Sequence, residues 1–566
     1  MFFLMFYVIT GILLVAIVTS YAIIILNCQK RANVSIENTN SIKVKRKLLQ
    51  APGPRPWPII GNLDIIGQFN NPFQGFGALT KSYGDIYTLT LGHTRCLVVN
   101  NFELIKEVLN KNGKFFGGRP EFLRYHKLFG GDRNNSLALC DWSLLQQKRR
   151  NLARRHCSPR SSSSYFAKMS RIGCSEITNL LDNLKASVEP GKPFDLKPLI
   201  LKACANMFSQ YMCSIRFDYE DKEFEQVVQF FDEIFWEINQ GYPLDFLPWL
   251  LPFYINHTQK ICHWSTTIRK FILERVINRR EINIDVDEPD VDFTDALLKS
   301  LVENKNVSRN TIIFMLEDFI GGHSAVGNLV MLSLAYIAKD PLIGKKIQCE
   351  VDCISKNSQR SINLHDMDKM PYTMATIFEV LRYSSSPIVP HVATEDTQIS
   401  DFGVTSGTIV FINNYMLNMS QKYWKDPDLF QPERFLEEKS NSASTPVIFH
   451  GKRRCSEESD SGIEFEKEAR IYNSSIDNRY AEQDIKNDPE TGKLQLKKNI
   501  PHFLPFSIGK RTCIGQNLVR GFGFILIANI LQNYNINCSD LEAIKIKPAS
   551  VALPANCFPL LLTPRA

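Results

Sequence analysis

The chain has 566 residues, 44% of them hydrophobic and 22% charged, which supplies apolar material for a large core and excludes a disordered or fibrous class. Its 66 basic residues against 59 acidic ones leave a net charge of +7, too mild for a nucleic-acid binder, although a local basic face can still dock an acidic partner. Its 14 cysteines are scattered without framework spacing, which excludes a disulfide-stapled scaffold and points to reduced thiols.

In chain order, the first expected element is an anchor. Met1 to Gln29 contains no charged residue, and "FFLMFYVITGILLVAIVTSYAIIIL" is long enough to cross a hydrocarbon core of ~30 Å as a helix. Residues 1–29 therefore read as a transmembrane signal anchor. Lys30, Arg31, Lys43, Lys45, Arg46 and Lys47 follow it and place the rest of the chain on the cytosolic side. Residues 30–51 form a polar, basic linker, and 52–566 a single folded domain. That domain opens on "APGPRPWPIIGN", whose closely spaced prolines impose a stiff, extended path. The alternating segments "IYTLTLG" and "CLVVNN" predict a small sheet near residues 86–100.

Beyond the sheet the periodicity is mostly helical. "LDFLPWLLPFY", Leu244 to Tyr254, holds too much proline for one continuous helix and is either core or an apolar loop at a bilayer. Ser308 to Pro341 reads as one long, largely buried helix, with Ser308 as N-cap and Pro341 as the stop. Cys349, Cys353 and His365 lack a fourth ligand for zinc and read as helix packing. Glu437 to Gly492, rich in Ser, Glu, Lys, Asn and Asp, predicts a disordered insertion at 437–492.

The stretch "PFSIGKRTCIG", Pro505 to Gly515, frames one cysteine with glycines and bases. A thiolate is a soft, electron-rich axial donor for haem iron, and it favours O–O cleavage in bound dioxygen. Glycines let a backbone approach a porphyrin and aim N–H groups at sulfur, while a base two residues upstream reaches a propionate. Phe506, Gly509, Arg511, Cys513 and Gly515 stand at the spacing F-x-x-G-x-R-x-C-x-G, and here the chain resembles the cytochrome P450 family.

Further motifs occur in the order that family requires. "EVLR" sets Glu379 and Arg382 one helical turn apart, and "QPERF" supplies Arg434. The resemblance implies that these three form a buried charge network beneath the haem. It also implies propionate contacts from Arg119 in "GGRP", Arg149 in "LLQQKRR", His391 in "VPHVATED" and Arg511. The usual aromatic four residues before Arg149 is displaced to Trp142.

The resemblance implies the cytochrome P450 fold, mainly α with a small β region, behind an N-terminal transmembrane helix, and Cys513 as axial ligand of haem b. It further implies electrons from NADPH through NADPH–cytochrome P450 reductase, with cytochrome b5 as an optional second donor, at the endoplasmic reticulum membrane. Lys148, Arg149, Arg150, Lys510 and Arg520 suit the docking of an acidic reductase. "NMFSQYMCSIRFDY", "FIGGHSAVGNLVM" and "SSSPIVPHVATEDT" are similar to the insect Spook and Spookier subfamily, which implies a sterol substrate in early ecdysteroid synthesis. Two other activities stay open: a broad lipid or xenobiotic monooxygenase, and a non-oxygenating haem-thiolate isomerase or dehydratase.

In "GGHSAVG" most of the family has glycine, an acid and threonine, the last two relaying protons to dioxygen. Aligned on Gly321 and Gly322, this chain has Ser324 at the acid position and Ala325 at the threonine position, with His323 between. The candidate catalytic set is therefore Gly322, His323, Ser324 and Ala325, with protons carried by water, by Ser324 or His323, or by a substrate hydroxyl.

Overall fold

The computed structural model describes residues 48–565, apart from 70, 190, 286, 304–307, 357, 440–493 and 548; of the first 47 residues it describes Thr19 alone. The expected anchor, nearly all of the linker and most of the expected insertion lie outside the described residues.

The segments predicted near 86–100 form β1 (Ile86–Leu91) and β2 (Thr94–Val99), paired antiparallel with Ile86 opposite Val99. Gly92, with φ +57°, supplies the left-handed first position of their two-residue turn. The chain returns much later as β3 (His391–Val392), β4 (Thr397–Ile399), β5 (Phe402–Val404) and β6 (Ile409–Ile412). The main sheet runs β1-β2-β6-β3, with β6 parallel to β2 and β4-β5 standing apart as a hairpin. Helix α1 (Pro72–Tyr83) is capped by Asn71, which accepts the Phe73 N–H, and has proline at its first position.

The Pro-rich segment lies along β1 rather than standing free: the Thr88 N–H donates to Pro52 O at 2.7 Å, and a Cβ on Gly53 would fall 2.1 Å from Thr88 O. These elements, with Gly241–Ile255, make one compact unit. Within it Leu244–Tyr254 is not one helix but two tight turns, Pro243–Asp245 and Pro248–Tyr254, and Phe253 on the second is 82% exposed.

The second compact unit holds Arg124–Gln240, Asn256–Pro387 and the described residues from Asn418 onward. Its main helices are α2 (Leu144–Cys157), α3 (Lys197–Cys213), α4 (Lys222–Asn239), α5 (Arg309–Ile320), α6 (Gly322–Lys339), α7 (Pro341–Ser355), α8 (Pro371–Ser384) and α9 (Gln516–Asn533). Helix α6 packs on α3 and α9 and is apolar all round, with Val326, Leu329, Val330, Met331 and Leu334 fully buried. Arg309–Lys339 is apolar and long enough to cross a membrane, but it is mostly buried inside the protein and is a core helix.

Ser308 caps α5 as expected, accepting the Thr311 N–H at 3.2 Å. The predicted single helix is interrupted, however: Gly321 separates α5 from α6, and the Ser324 N–H bonds the Gly321 carbonyl three residues back. Helix α8 starts where Glu350 of α7 accepts the N–H groups of Tyr372 and Thr373 at 2.7 and 2.8 Å. Strands β7 (Leu436–Glu438) and β8 (Leu494–Leu496) pair antiparallel, so Glu437 and Glu438, expected in the insertion, belong to a sheet. Strands β9 (Tyr534–Asn537) and β10 (Leu561–Pro564) close the chain.

Candidate active site

The Cys513 loop is a backbone device. Ser507 and Gly509 take positive φ values of +61° and +77°, which turns the chain back so that the Cys513 N–H donates to Phe506 O at 2.9 Å. Gly515 then caps α9, and Cys513 sits just ahead of that helix's positive end. Burial by the surrounding protein pushes the thiol up, while the N–H groups of Gly515 and Gln516 and the charges of Arg150 and Arg520 oppose it. The side chain is nevertheless exposed at its surface, unlike Cys96, Cys157 and Cys204, which are sealed in the core. The guanidinium of Arg520 lies 5.2 Å from the Phe506 ring centroid.

Arg511 is buried. Its Nη2 donates to Ala138 O at 3.1 Å and Cys140 O at 2.6 Å, while Nη1 is buried with no partner. Arg149 donates to Asn134 O at 3.3 Å, and its buried Nε also lacks a partner. The neighbouring Arg150, expected on a docking face, is instead buried and donates to Thr512 O beside the cysteine. Burial first, then Arg511 and Arg154, push Arg150 down to about 10. Arg150 therefore leaves the proposed docking cluster, because α2 turns it inward and leaves Lys148 exposed.

Arg119 and His391, read from separate motifs, meet in the first unit. Gly118 and Val392 exchange backbone hydrogen bonds, Arg119 donates to Val389 O and Pro390 O, and His391 Nδ1 lies 2.7 Å from Phe116 O. In the second unit Arg382 forks onto Glu379 at 2.7 and 2.8 Å with both side chains fully buried. Arg434 reaches the same carboxylate at 3.0 Å and ties it to Lys425 O, Asp426 O and Leu429 O.

On the α5–α6 run, the distal helix of the haem reading, Asp318, Gly321, Gly322 and Ala325 are the partly open residues, and their spacing of three, one and three makes one face. Ser324 and His323 are fully buried off that face. The His323 ring stands edge-on to Phe231 at 5.3 Å with Nδ1 2.7 Å from Ile320 O, while His323 Nε2 and Ser324 Oγ are buried without partners. The two glycines also serve packing: a Cβ on Gly321 would come within 3.1 Å of Phe231, and one on Gly322 within 3.0 Å of Phe208.

Asp318 was missed by the sequence reading. It accepts the Ser136 hydroxyl at 3.1 Å and the Leu137 N–H, and burial pushes it up to about 7. Residues 136–140 thus link the distal helix to Arg511. No motif marks Asp318, because its partners lie about 180 residues upstream.

Three features fit a haem-thiolate centre: a surface-exposed thiol inside a cage of N–H groups and guanidinium charge, the orphaned Arg511 Nη1 available to an anion, and a Gly515 whose Cβ would meet no protein atom within 4 Å. Packing against protein therefore does not account for glycine at 515. Among the described residues no other group of His, Cys, Asp and Glu is arranged to hold a metal ion.

The family model for cytochrome P450 matches residues 51–455 and 486–561, and the chain belongs to that family as a cytochrome P450 monooxygenase. It is 63% identical over 564 residues to Cytochrome P450 307a1 of Drosophila melanogaster, covering 99% of this chain and 98% of that protein. It is 31% identical to the Steroid 17-alpha-hydroxylase/17,20 lyase of Ictalurus punctatus, covering 85% of this chain and 84% of the relative. Cytochrome P450 1A1 of Sparus aurata is 26% identical, with 89% of each chain covered.

Proposed function

We propose that this monooxygenase oxidises a sterol in early ecdysteroid synthesis, anchored in the endoplasmic reticulum membrane and reduced by NADPH–cytochrome P450 reductase. The observation that carries the reading is the 63% identity to Cytochrome P450 307a1 along almost the whole chain, which spans the stretches that resemble the Spook and Spookier subfamily. A second relative whose printed name is a steroid hydroxylase supports the substrate class.

In this reading Cys513 ligates haem b, and the bound haem supplies reductive activation of dioxygen. Arg511, Arg149, Arg119 and His391 hold its propionates, and the Gly515 and Gln516 N–H groups favour the anionic sulfur against the burial that opposes it. Glu379, Arg382 and Arg434 hold the chain beneath it. Ala325 presents a methyl group where the family relay has a hydroxyl. Ser324 and His323 are buried off the open face, so they serve only through ordered water held on their unsatisfied Oγ and Nε2 atoms; otherwise protons arrive by a hydroxyl of the substrate itself.

The test is purified protein with reductase, NADPH and 7-dehydrocholesterol or its early oxidised derivatives, with products identified by mass and oxygen uptake recorded. A sterol product matched to oxygen consumed supports the proposal. Turnover of unrelated lipids or xenobiotics with no sterol product points to the broad-specificity reading. Conversion without oxygen uptake points to an isomerase or dehydratase.

A further inference from the structure

Three buried polar side chains from three helices meet beneath the Ser324 turn, and none of them belongs to the site described above. Lys197, at the start of α3, is 1% exposed and spends its three donors on Asp232 Oδ2 at 2.5 Å, Leu553 O at 2.8 Å and Pro554 O at 3.0 Å. Asp232, in the middle of α4, takes the Asn328 Nδ2 donor on its other oxygen at 2.7 Å. Asn328, on α6, uses the same nitrogen to reach Ser324 O at 2.8 Å, and its Oδ1 accepts the Leu553 N–H at 2.8 Å.

Stability alone is a poor reason for such a group. Removing two charges from water offsets most of their attraction, and apolar replacements of similar volume are often neutral or stabilising. What apolar contact lacks is direction. Phe231, next to Asp232, touches the distal helix at Gly321 and His323, but an aromatic face tolerates sliding. The hydrogen bonds of Asp232 and Asn328 do not, because each has one register in which all partners are satisfied.

We infer that Lys197, Asp232 and Asn328 are positioning residues that lock α4 and the Leu553–Pro554 segment to α6, and so hold the Gly321–Ala325 turn in one geometry for the reaction. The inference rests on the reading of that turn as the oxygen-side face of the active site. It adds that α4 sets the turn's position through a buried polar bond and not through packing alone.

The experiment uses the full-length, haem-loaded protein and three variants: Asp232→Asn, the double change Lys197→Met/Asp232→Leu, and the near-isosteric Asn328→Asp. Asn328→Asp keeps an acceptor for Leu553 but loses the donor that Ser324 O and Asp232 Oδ1 share, and it sets a second carboxyl group against Asp232. Amide hydrogen exchange of peptides covering 319–328 is read beside the thermal midpoint, the reduced carbonyl spectrum and the coupling of NADPH consumption to product. The double change is expected to recover the midpoint lost by Asp232→Asn, while exchange at 321–325 still rises at least about tenfold and coupling falls at least about threefold. Asn328→Asp is expected to show the same rise in exchange with the carbonyl spectrum unchanged. Wild-type exchange at 319–328 in both the double change and Asn328→Asp would overturn the inference. The exchange measurement needs no substrate, so a wrong substrate assignment leaves it intact, whereas raised exchange with unaltered coupling would sink the catalytic part alone.

Discussion

At Cys513 a single sulfur carries the chemistry, and its surroundings are arranged for the anion: two N–H groups, two guanidinium charges and a helix start. Cys513→His is expected to abolish turnover and move the reduced carbonyl complex from the red-shifted Soret position of thiolate ligation to that of a nitrogen ligand. A red-shifted band surviving in that variant would show another residue holding the iron. At Ala325 the test is a gain: Ala325→Thr restores a hydroxyl on the open face of α6 and should change the fraction of NADPH converted to product. An unchanged fraction would leave the hydroxyl's position irrelevant to proton supply.

His323 gives a pH prediction. Burial pushes its imidazole down to about 4, against the Ile320 carbonyl contact that favours the charged form. The folded value lies below the unfolded one, so the unfolded chain binds more protons between them. The stability from this group is complete above about pH 6.5 and is lost as pH falls toward 4, by about 3 kcal/mol in total. The cavity that His323 lines is otherwise built of groups such as Ala205, Ser209, Phe224, Val227 and Phe231, none of which titrates in that range. Glu317 and Asp318, pushed up to about 8 and 7, pull the other way, so the readout is a difference between proteins. His323→Leu should lose less stability than wild type between pH 7 and pH 5, measured by thermal or denaturant unfolding; parallel curves would refute the buried neutral imidazole.

At the scale of elements, α8 and the turn at Pro432–Phe435 are joined by Glu379, Arg382 and Arg434. Arg382 is fully buried, so removing it takes away both of its bonds to the buried Glu379 carboxylate and leaves that group to Arg434 and the Gln431 N–H. Arg382→Ala should cost about 3–5 kcal/mol and lower haem content in proportion. An exposed i,i+3 pair would cost well under ~1 kcal/mol, so unfolding measurements separate the two cases.

This network was legible because both halves are local motifs at fixed spacing and the family resemblance joins them. The distal helix was legible as a buried apolar run with an N-cap, and the low helix propensity of Gly321 and Gly322 marked where it could bulge, but not which of the two would break it. Where the hydrogen bonding slips depends on Phe231 and Phe208 pressing on the two glycines, and those residues come from other helices. Arg149 and Arg150 show the same limit. Adjacent bases look equivalent in sequence, and only the rotation of α2 in its packed position decides which one reaches Thr512.

At the scale of the molecule, the pairing of β7 with β8 brings Glu438 opposite Leu494, so the chain on either side of 440–493 is held at one hairpin. The family model likewise skips 456–485. Joining Lys439 to Leu494 through a short turn should therefore leave the carbonyl spectrum intact, and loss of haem from that variant would make the segment structural. Trp57, Trp249 and Phe253 are exposed apolar side chains of the first unit, and Trp249 and Phe253 sit on the loop read as either core or bilayer contact. Their exposure favours contact with a bilayer over core packing. Trp249→Ser/Phe253→Ser should weaken binding of a protein lacking residues 1–29 to phospholipid vesicles; unchanged sedimentation with vesicles would remove that loop from the membrane surface.

By itself the sequence determined the haem-thiolate loop, the charge network, the small sheet and the core helix. Each of these is written in neighbouring residues at a spacing set by backbone geometry: periodicity suffices for the sheet and the core helix, while the roles of the loop and the charge network are what the family resemblance implies. The tertiary structure alone decided that Arg150 is buried, that Asp318 holds residues 136–137, that Arg119 and His391 share one backbone ladder, and that Lys197, Asp232 and Asn328 converge under Ser324. Those outcomes join residues 35 to more than 350 positions apart, and a buried polar group is stable only where packing has already excluded water and supplied its partners. That condition belongs to the assembled core and has no local signature in the chain.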